Sequence, residues 1–337
     1  MSIDAGRRRA LALLAAGAAP GAPLRAQPPE TFDFIALGDM PYGRDLLAGP
    51  PYRGLIDRIN GLGLPFAIHV GDFKDGTAAC SDDEYRLQWQ HFQRFAGALV
   101  YTPGDNDWLD CHRRGDDPLE RLQALRARFF AGGRSLGQRP IALQRQGAQM
   151  PAHAAYVENQ RWTHQGVVFA TFHTVGHRNG FDADSAAVRA EAARREAANA
   201  AWIADSFALA RQTQAVALVL ATQAEALIDP RGRTAQRGRV HDSFTSIRDT
   251  LLPLAAGAPH PVLLVHGDFH TYRFDQPFVQ PGGAPLANLW RLQVYGHPRL
   301  HAVRVRVQPG VAGQPFACSP VWNPLSSDPR QEPQPIN

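Results

Sequence analysis

The chain has 337 residues, 44% of them apolar, with 27 prolines and 30 glycines spread along it. That length can build a core without disulfide staples or stacked repeats, and the composition excludes collagen-like, coiled-coil and disordered classes. The formal charge is +4, of which residues 1 to 26 carry +3 (Arg7, Arg8, Arg9 and Arg25 against Asp4), so the rest holds +1 and gives no electrostatic reason to expect nucleic acid as a partner.

Arg7-Arg8-Arg9 precede an apolar run, Ala10 to Ala19, too short for a bilayer span of about 20 residues. A small-residue site follows at Ala26. This is the layout of a cleavable export signal over 1–26, and the adjacent arginines also fit the twin-arginine type. The mature chain is expected to start near Gln27, to be periplasmic or secreted, and to have no stable membrane span. Oligomeric state has no readable signal.

Phe32 to Leu37, Pro65 to Val70 and Ala98 to Thr102 read as buried strands. Between the last two, Ser81 and Glu84 form a capping-box pattern, followed at helical spacing by Tyr85, Trp89, Phe92 and Ala96. Asp117-Pro118-Leu119-Glu120 opens a helix carrying Leu122, Leu125 and Phe129. Further strands are expected over 166–171, 215–221, 261–265, 288–295 and 301–307, with a long Ala/Arg helix from about 184 to 211. Strand and helix alternate early and strands dominate late, which predicts a layered α/β sandwich. We read a single domain over 27–318, an insertion near 132–161 placed to shape specificity, and a Pro-rich tail over 319–337. Cys80 and Cys111 each follow an acidic loop and are favoured as a disulfide pair with Cys318 free; three unpaired thiols are the alternative.

Four strand ends share one chemistry: Gly38-Asp39, Gly71-Asp72, Gly104-Asp105 and Gly267-Asp268. One Gly-Asp is an ordinary turn. Four carboxylates converging beyond the carboxyl ends of strands would repel one another unless cations neutralise them, so bound divalent metal is expected.

The order of these motifs resembles the calcineurin-like metallophosphoesterase superfamily, whose signature is D-x-H, G-D, G-N-H-[DE], a lone His after a strand, and G-H-x-H. The resemblance spans roughly residues 32 to 307 and implies a four-layer αββα sandwich of mixed sheets holding two divalent ions. Its metal positions carry over to Asp39, Asp72, Asp105, Gln223, Asp268 and His270. Pro41 replaces the first family His, and Asp75, three residues after Asp72, is a substitute ligand or a turn starter. With one His among oxygen donors the set favours Mn, Mg or Ca, with Fe or Zn also admissible. The implied reaction is in-line attack by a bridging hydroxide on a small-molecule phosphoester. Asn106 stands at the family's catalytic His position. A leaving-group acid would then come from His173, His177 or His112, each of which is otherwise a supporting or surface His. Lys74, the sole lysine, Tyr42 and Asn179 are carried as substrate-binding positions; the alternatives are a solvated lysine and a plain Asn-Gly turn.

Two other patterns in the sequence point elsewhere. Gly133-Arg134-Ser135-Leu136-Gly137 has the nucleophile-elbow spacing, but a helix precedes it where a strand is needed. A non-catalytic metal- or ligand-binding protein of the same fold is the stronger rival, since Pro41, Asn106, Gln223 and Asp268 all depart from the signature.

Overall fold

The computed structural model describes residues 30–227, 240, 242–280, 283–311 and 313–326. The expected export segment and the end of the Pro-rich tail lie outside the described residues. Strand β1 (Phe32–Leu37) is followed by α1 (Asp45–Gly61), β2 (Phe66–His69), α2 (Asp82–Phe92), β3 (Ala98–Tyr101), the single turn α3 (Asp105–Trp108), a 3-10 segment (Leu109–Arg114) and α4 (Pro118–Phe129). Then come β4 (Leu136–Gly137), β5 (Gln144–Arg145), the turn α5 (Gln146–Gln149), β6 (Gln160–His164), β7 (Val167–Thr171), the turn α6 (Gly176–Asn179), α7 (Ala186–Gln212) and β8 (Ala217–Ala221). A π-helical stretch (Ser246–Leu251) leads into α8 (Leu252–Ala256), β9 (Val262–His266), β10 (Arg273–Asp275), β11 (Leu289–Gln293), β12 (Ala302–Val307) and β13 (Phe316–Val321). Among the described residues no helix is long and apolar enough to cross a membrane.

The strands form two mixed sheets, ordered β13-β12-β1-β2-β3-β4 and β10-β11-β9-β8-β7-β6-β5. In the first, β1, β2 and β3 are parallel; in the second, β7, β8, β9 and β11 are parallel, so both sheets deliver strand ends in register. Strand periodicity sets the layers. Phe34 and Ala36 of β1 pack between the sheets with Phe169, Val219, Leu263 and Val305, while Ile35 and Leu37 face α1, α2 and α4. The outer face of the second sheet, through Val168, Leu218 and Leu264, is covered by Trp202, Ile203 and Phe207 of α7. This is the αββα order that the resemblance implies.

Ser81 Oγ accepts the Glu84 N–H and Asp117 accepts the Leu119 N–H, so both helix starts are capped from their own sequence. Two expectations change. Residues 319–321 belong to edge strand β13, where Pro320 is tolerated because a neighbour is needed on one side only. Segment 132–161 does not hang over the strand ends as one loop: β4 pairs with the first residues of β3, away from Gly104, and β5 and β6 continue the second sheet. Within it Ser135 Oγ accepts the Ile141 N–H and donates to the Leu136 carbonyl, tying off a turn rather than standing as a nucleophile.

Cys80 and Cys111 are disulfide-bonded, with Cα atoms 5.7 Å apart and 31 residues of separation, and Cys318 is free. A loop of that length is worth about 3–4 kcal/mol to the folded state. Cys80→Ser is therefore expected to lower the unfolding free energy by about that amount, measured by urea titration; an unchanged midpoint would mean that the bond adds nothing.

Candidate metal centre

The glycines of the Gly-Asp turns let neighbouring strand ends approach closely: Gly38 packs against Val70, Gly71 against the backbone at Gly104, and Gly104 and Gly267 each leave room for an aspartate from another strand. A Cβ on Gly104 would lie 2.0 Å from Asp72 Oδ1, and one on Gly267 would lie 2.1 Å from Asp39 Oδ2. The aspartates themselves sit in left-handed backbone, with φ of 54° at Asp39, 54° at Asp72 and 77° at Asp268; His270 follows at 59°. Asp tolerates this region better than most residues, and such a concentration of uncommon backbone marks a functional segment.

The turns bring Asp39, Asp72 and Asp105 of the first sheet to Gln223, Asp268 and His270 of the second. Asp39 Oδ1 accepts the Asp268 N–H at 2.9 Å, and His270 Nε2 lies 3.6 Å from the same oxygen. Asp72 Oδ1 accepts the Asn106 N–H at 3.0 Å, and its Oδ2 accepts from Gln223 Nε2 at 3.1 Å. The Tyr42 hydroxyl stands among them, 3.3 Å from Asp72 Oδ2, 3.3 Å from His270 Nε2 and 2.9 Å from Asn106 Nδ2. Tyr42 and Asn106 therefore do reach the centre that their sequence positions suggest.

The residues fit a divalent ion on two observations. Asp39 Oδ2 and Asp105 Oδ1 are buried without a hydrogen-bond partner, which is costly unless a cation meets them. His270 Nδ1 is 2.7 Å from the His297 carbonyl, which can only accept, so Nδ1 carries the proton and Nε2 presents its lone pair to the cluster. That backbone contact is the one metal-ligating histidines ordinarily make.

Electrostatics point the same way. Burial, then the Asp105 charge, pushes Asp268 up to about 8. Burial also raises Asp39 and Asp72 well above the usual carboxylate range, with the neighbouring aspartates adding to it. Burial holds His270 below the ordinary histidine value. Without cations the cluster resists ionisation; with them it becomes a strong ligand.

Several expected site residues are placed elsewhere. Gln223 reaches the centre, but its Oε1 accepts the Gly176 N–H at 2.8 Å, so it orients Asp72 instead of offering an oxygen. Asp75 Oδ1 accepts from the Thr77 N–H and hydroxyl at 2.9 and 2.6 Å, which is the turn-starter alternative. Lys74 is 2% exposed with Nζ on the Asp75 and Ala78 carbonyls, a buried counter-charge behind the aspartates and not a phosphate contact. Asn179 is fully buried, accepting from the Val175 N–H and donating to Glu196, so it clamps its own loop. His112 bonds the Leu109 carbonyl at the surface.

His173 is likewise no acid for a leaving group. Its Nδ1 bonds Glu158 Oε1 at 2.8 Å, its Nε2 accepts from Trp108 at 3.2 Å, and it is fully buried. Burial and then Arg195 push it down to about 4, so it is neutral at working pH. His173→Ala is expected to cost about 2–4 kcal/mol of stability, because Glu158 and Trp108 lose their partner. Turnover per folded molecule, from active-site titration, should hold; a drop of 100-fold would restore His173 to the catalytic set.

No protein-family model matches the chain, and no curated protein matches it. Among solved structures, a dimetal phosphatase from Danio rerio is similar at 10% identity and TM-score 0.49, covering 87% of this chain and 99% of that one. A purple acid phosphatase from yellow lupin (Lupinus luteus) seeds is similar at 11% identity and TM-score 0.46, covering 86% of this chain and 53% of that one. A Thermus thermophilus protein follows at 7% identity and TM-score 0.43, covering 86% and 99%.

Asp107 was missed from sequence although it organises the site. Its carboxylate accepts from the N–H groups of Asp72 (3.0 Å), Phe73 (2.9 Å) and Gly104 (2.8 Å) and from the Tyr101 hydroxyl (2.7 Å), locking the second and third strand ends together. The signal was its place two residues after Asp105, on the same short turn. Asp110 and the buried Glu158 were missed as well; nothing in their local pattern separates them from surface acids.

Proposed function

We propose that the chain is a metal-dependent phosphoester hydrolase, a divergent relative of the calcineurin-like metallophosphoesterases, that acts outside the cytoplasm. The observation that carries this reading is the convergence of Asp39, Asp72, Asp105, Asp268 and His270 with two buried carboxylate oxygens unpartnered. These residues would hold the divalent ions, which when bound would neutralise phosphoryl charge and acidify a water. Export is supported by the amino-terminal sequence pattern and by the Cys80–Cys111 bond, which suits an oxidising compartment.

The chain's own residues shape what can react. Asn106 Nδ2 and the Tyr42 hydroxyl stand at the centre as neutral donors for a phosphoryl oxygen. Asn106 has no proton to release, and His173 is sealed in the interior. Esters whose leaving groups depart without protonation, such as aryl phosphates, should therefore be the better substrates. A non-catalytic metal-binding role is favoured by one feature, the Tyr42 hydroxyl inserted between Asp72 and His270. Chelator-treated protein resupplied with Mn2+, Mg2+, Ca2+, Fe2+ or Zn2+ and assayed on aryl mono- and diesters decides between them. Metal-restored turnover supports the hydrolase; tight metal binding without turnover of any ester leaves the binding protein.

A further inference from the structure

A second group of donors lies beside Asp105. The 3-10 segment after α3 turns the Asp110 side chain inward until only 1% of it is exposed. From the loop after β7, His177 places Nε2 3.6 Å from Asp105 Oδ2 and 3.9 Å from Asp110 Oδ1. One donor atom from each of the three residues lies within 4.8 Å of the others. Neither Asp110 oxygen nor Asp105 Oδ1 accepts a hydrogen bond, and all three atoms are buried.

We infer that Asp105, Asp110 and His177 form a separate divalent-cation site, sharing only Asp105 with the proposed hydrolytic centre and resting on that reading in no other way. Two carboxylates with one imidazole suit Mn2+, Fe2+ or Zn2+. Donors about 2.1 Å from a six-coordinate ion stand about 3–4 Å from each other, so the three need only a small contraction to close on one.

The surroundings are built for this geometry. His177 and Arg178 hold φ of 47° and 50°, uncommon for such residues, and Asn179 fastens the loop to the Val175 N–H and to Arg195. A Cβ on Gly176 would come 2.8 Å from Asp105 Oδ1, so only glycine leaves that oxygen free. The disulfide at Cys111 fixes the backbone next to Asp110. A cavity of about 370 Å³ lined by Asp110, His112, His177, Asp182 and Asp184 gives an entry path bordered by further carboxylates.

Arg113 occupies the position of the ion's charge. Its Nη1 is 2.9 Å from Asp110 Oδ2, without hydrogen-bond geometry, and its Nη2 donates to His177 Nε2 at 2.8 Å. Because a guanidinium only donates, His177 Nε2 carries a lone pair, which Arg113 takes up and which becomes free for an ion when Arg113 leaves. The Arg113 side chain is 35% exposed and can swing out, so ion and guanidinium exclude each other.

The test is Mn2+ titration of the chelator-treated full chain, with free Mn2+ read by electron paramagnetic resonance, for the wild type and for Asp110→Asn, Arg113→Ala and Asp72→Asn. Asp110→Asn should weaken one class of sites at least about 10–100-fold and leave the rest. Arg113→Ala should tighten the same class up to about tenfold, the worth of the contacts it removes. A wild-type binding curve in Asp110→Asn overturns the inference and leaves the hydrolase reading intact. Loss in Asp110→Asn with none in Asp72→Asn supports the inference and sinks the hydrolytic centre. Should Asp110→Asn fail to fold by circular dichroism, Arg113→Ala decides: tighter binding supports the site, and unchanged or weaker binding overturns it. A wild type that binds no Mn2+ overturns it too.

Discussion

Asp72→Asn is expected to lower kcat/KM on aryl phosphates by at least about 100-fold, since loss of even a residue supporting a metal ligand costs 10–100-fold. The fold should survive. Asp72 Oδ1 would still accept the Asn106 N–H, and what is lost at Oδ2 is the acceptor for Gln223 and for the Tyr42 hydroxyl, roughly 1–3 kcal/mol for the two hydrogen bonds. Against that, the substitution removes one buried charge from a group in which burial and the neighbouring aspartates already disfavour ionisation. Metal content, measured on protein purified without chelators, should fall with activity while circular dichroism is unchanged. Activity lost with metal retained would move Asp72 from ligand to substrate contact, and full activity would remove the centre from the reaction.

Stability of the chelator-treated protein should fall as pH rises from about 6.5 to 8. Asp268, raised to about 8, binds protons in the folded chain that the unfolded chain has already released above its ordinary value near 4. A group of this kind gives stability that is complete at low pH and lost as pH climbs through the folded value. Asp39 and Asp72 shift in the same direction. The buried His69 and His173 work oppositely: burial lowers them to about 3 and about 4, so they add stability as pH rises toward 6.5 and contribute no further change beyond it. The interval above 6.5 therefore isolates the carboxylates. One pH unit of retained displacement is worth about 1.4 kcal/mol, or roughly 2–4 °C in Tm for a chain of this size. Mn2+ at 100 times its Kd should add about 2.7 kcal/mol and reverse the trend, because it binds the ionised form. Thermal unfolding at pH 6.5, 7.2 and 8.0, with chelator and with Mn2+, reads both. A flat profile unaffected by Mn2+ would mean that the acids do not act as a cation site.

Much of the architecture was legible because it is written in local pattern. The runs in β1, β2, β3, β7, β8 and β9 are predominantly apolar, with Asp33 of β1 the one carboxylate inside them, and Ser81 and Asp117 mark helix starts through their own side chains. Helix α1 escaped because Pro50 and Pro51 lie inside it. The two-residue strands β4 and β5 carry no periodicity at all. At the site, the repeated Gly-Asp identified the strand ends that converge. Sequence did not show which way each side chain turns. Lys74 and His173 have the right residue types near the right strands, yet one is spent on carbonyls and the other on Glu158 and Trp108. Asp110 and His177 are 67 positions apart in number and meet only because β3 and β7 end on the same side of two different sheets.

The four hydrogen bonds on Asp107 have an evolutionary consequence. They fix the turns after β2 and β3 through backbone N–H groups and a tyrosine, none of which depends on what Asp72 or Asp105 coordinates. Scaffold and ligand chemistry are thus carried by different residues. A nitrogen donor can be exchanged for an oxygen donor at a strand end by one substitution while the turn that presents it stays folded. A lineage can then drift between metals, or out of catalysis altogether, without passing through an unfolded intermediate.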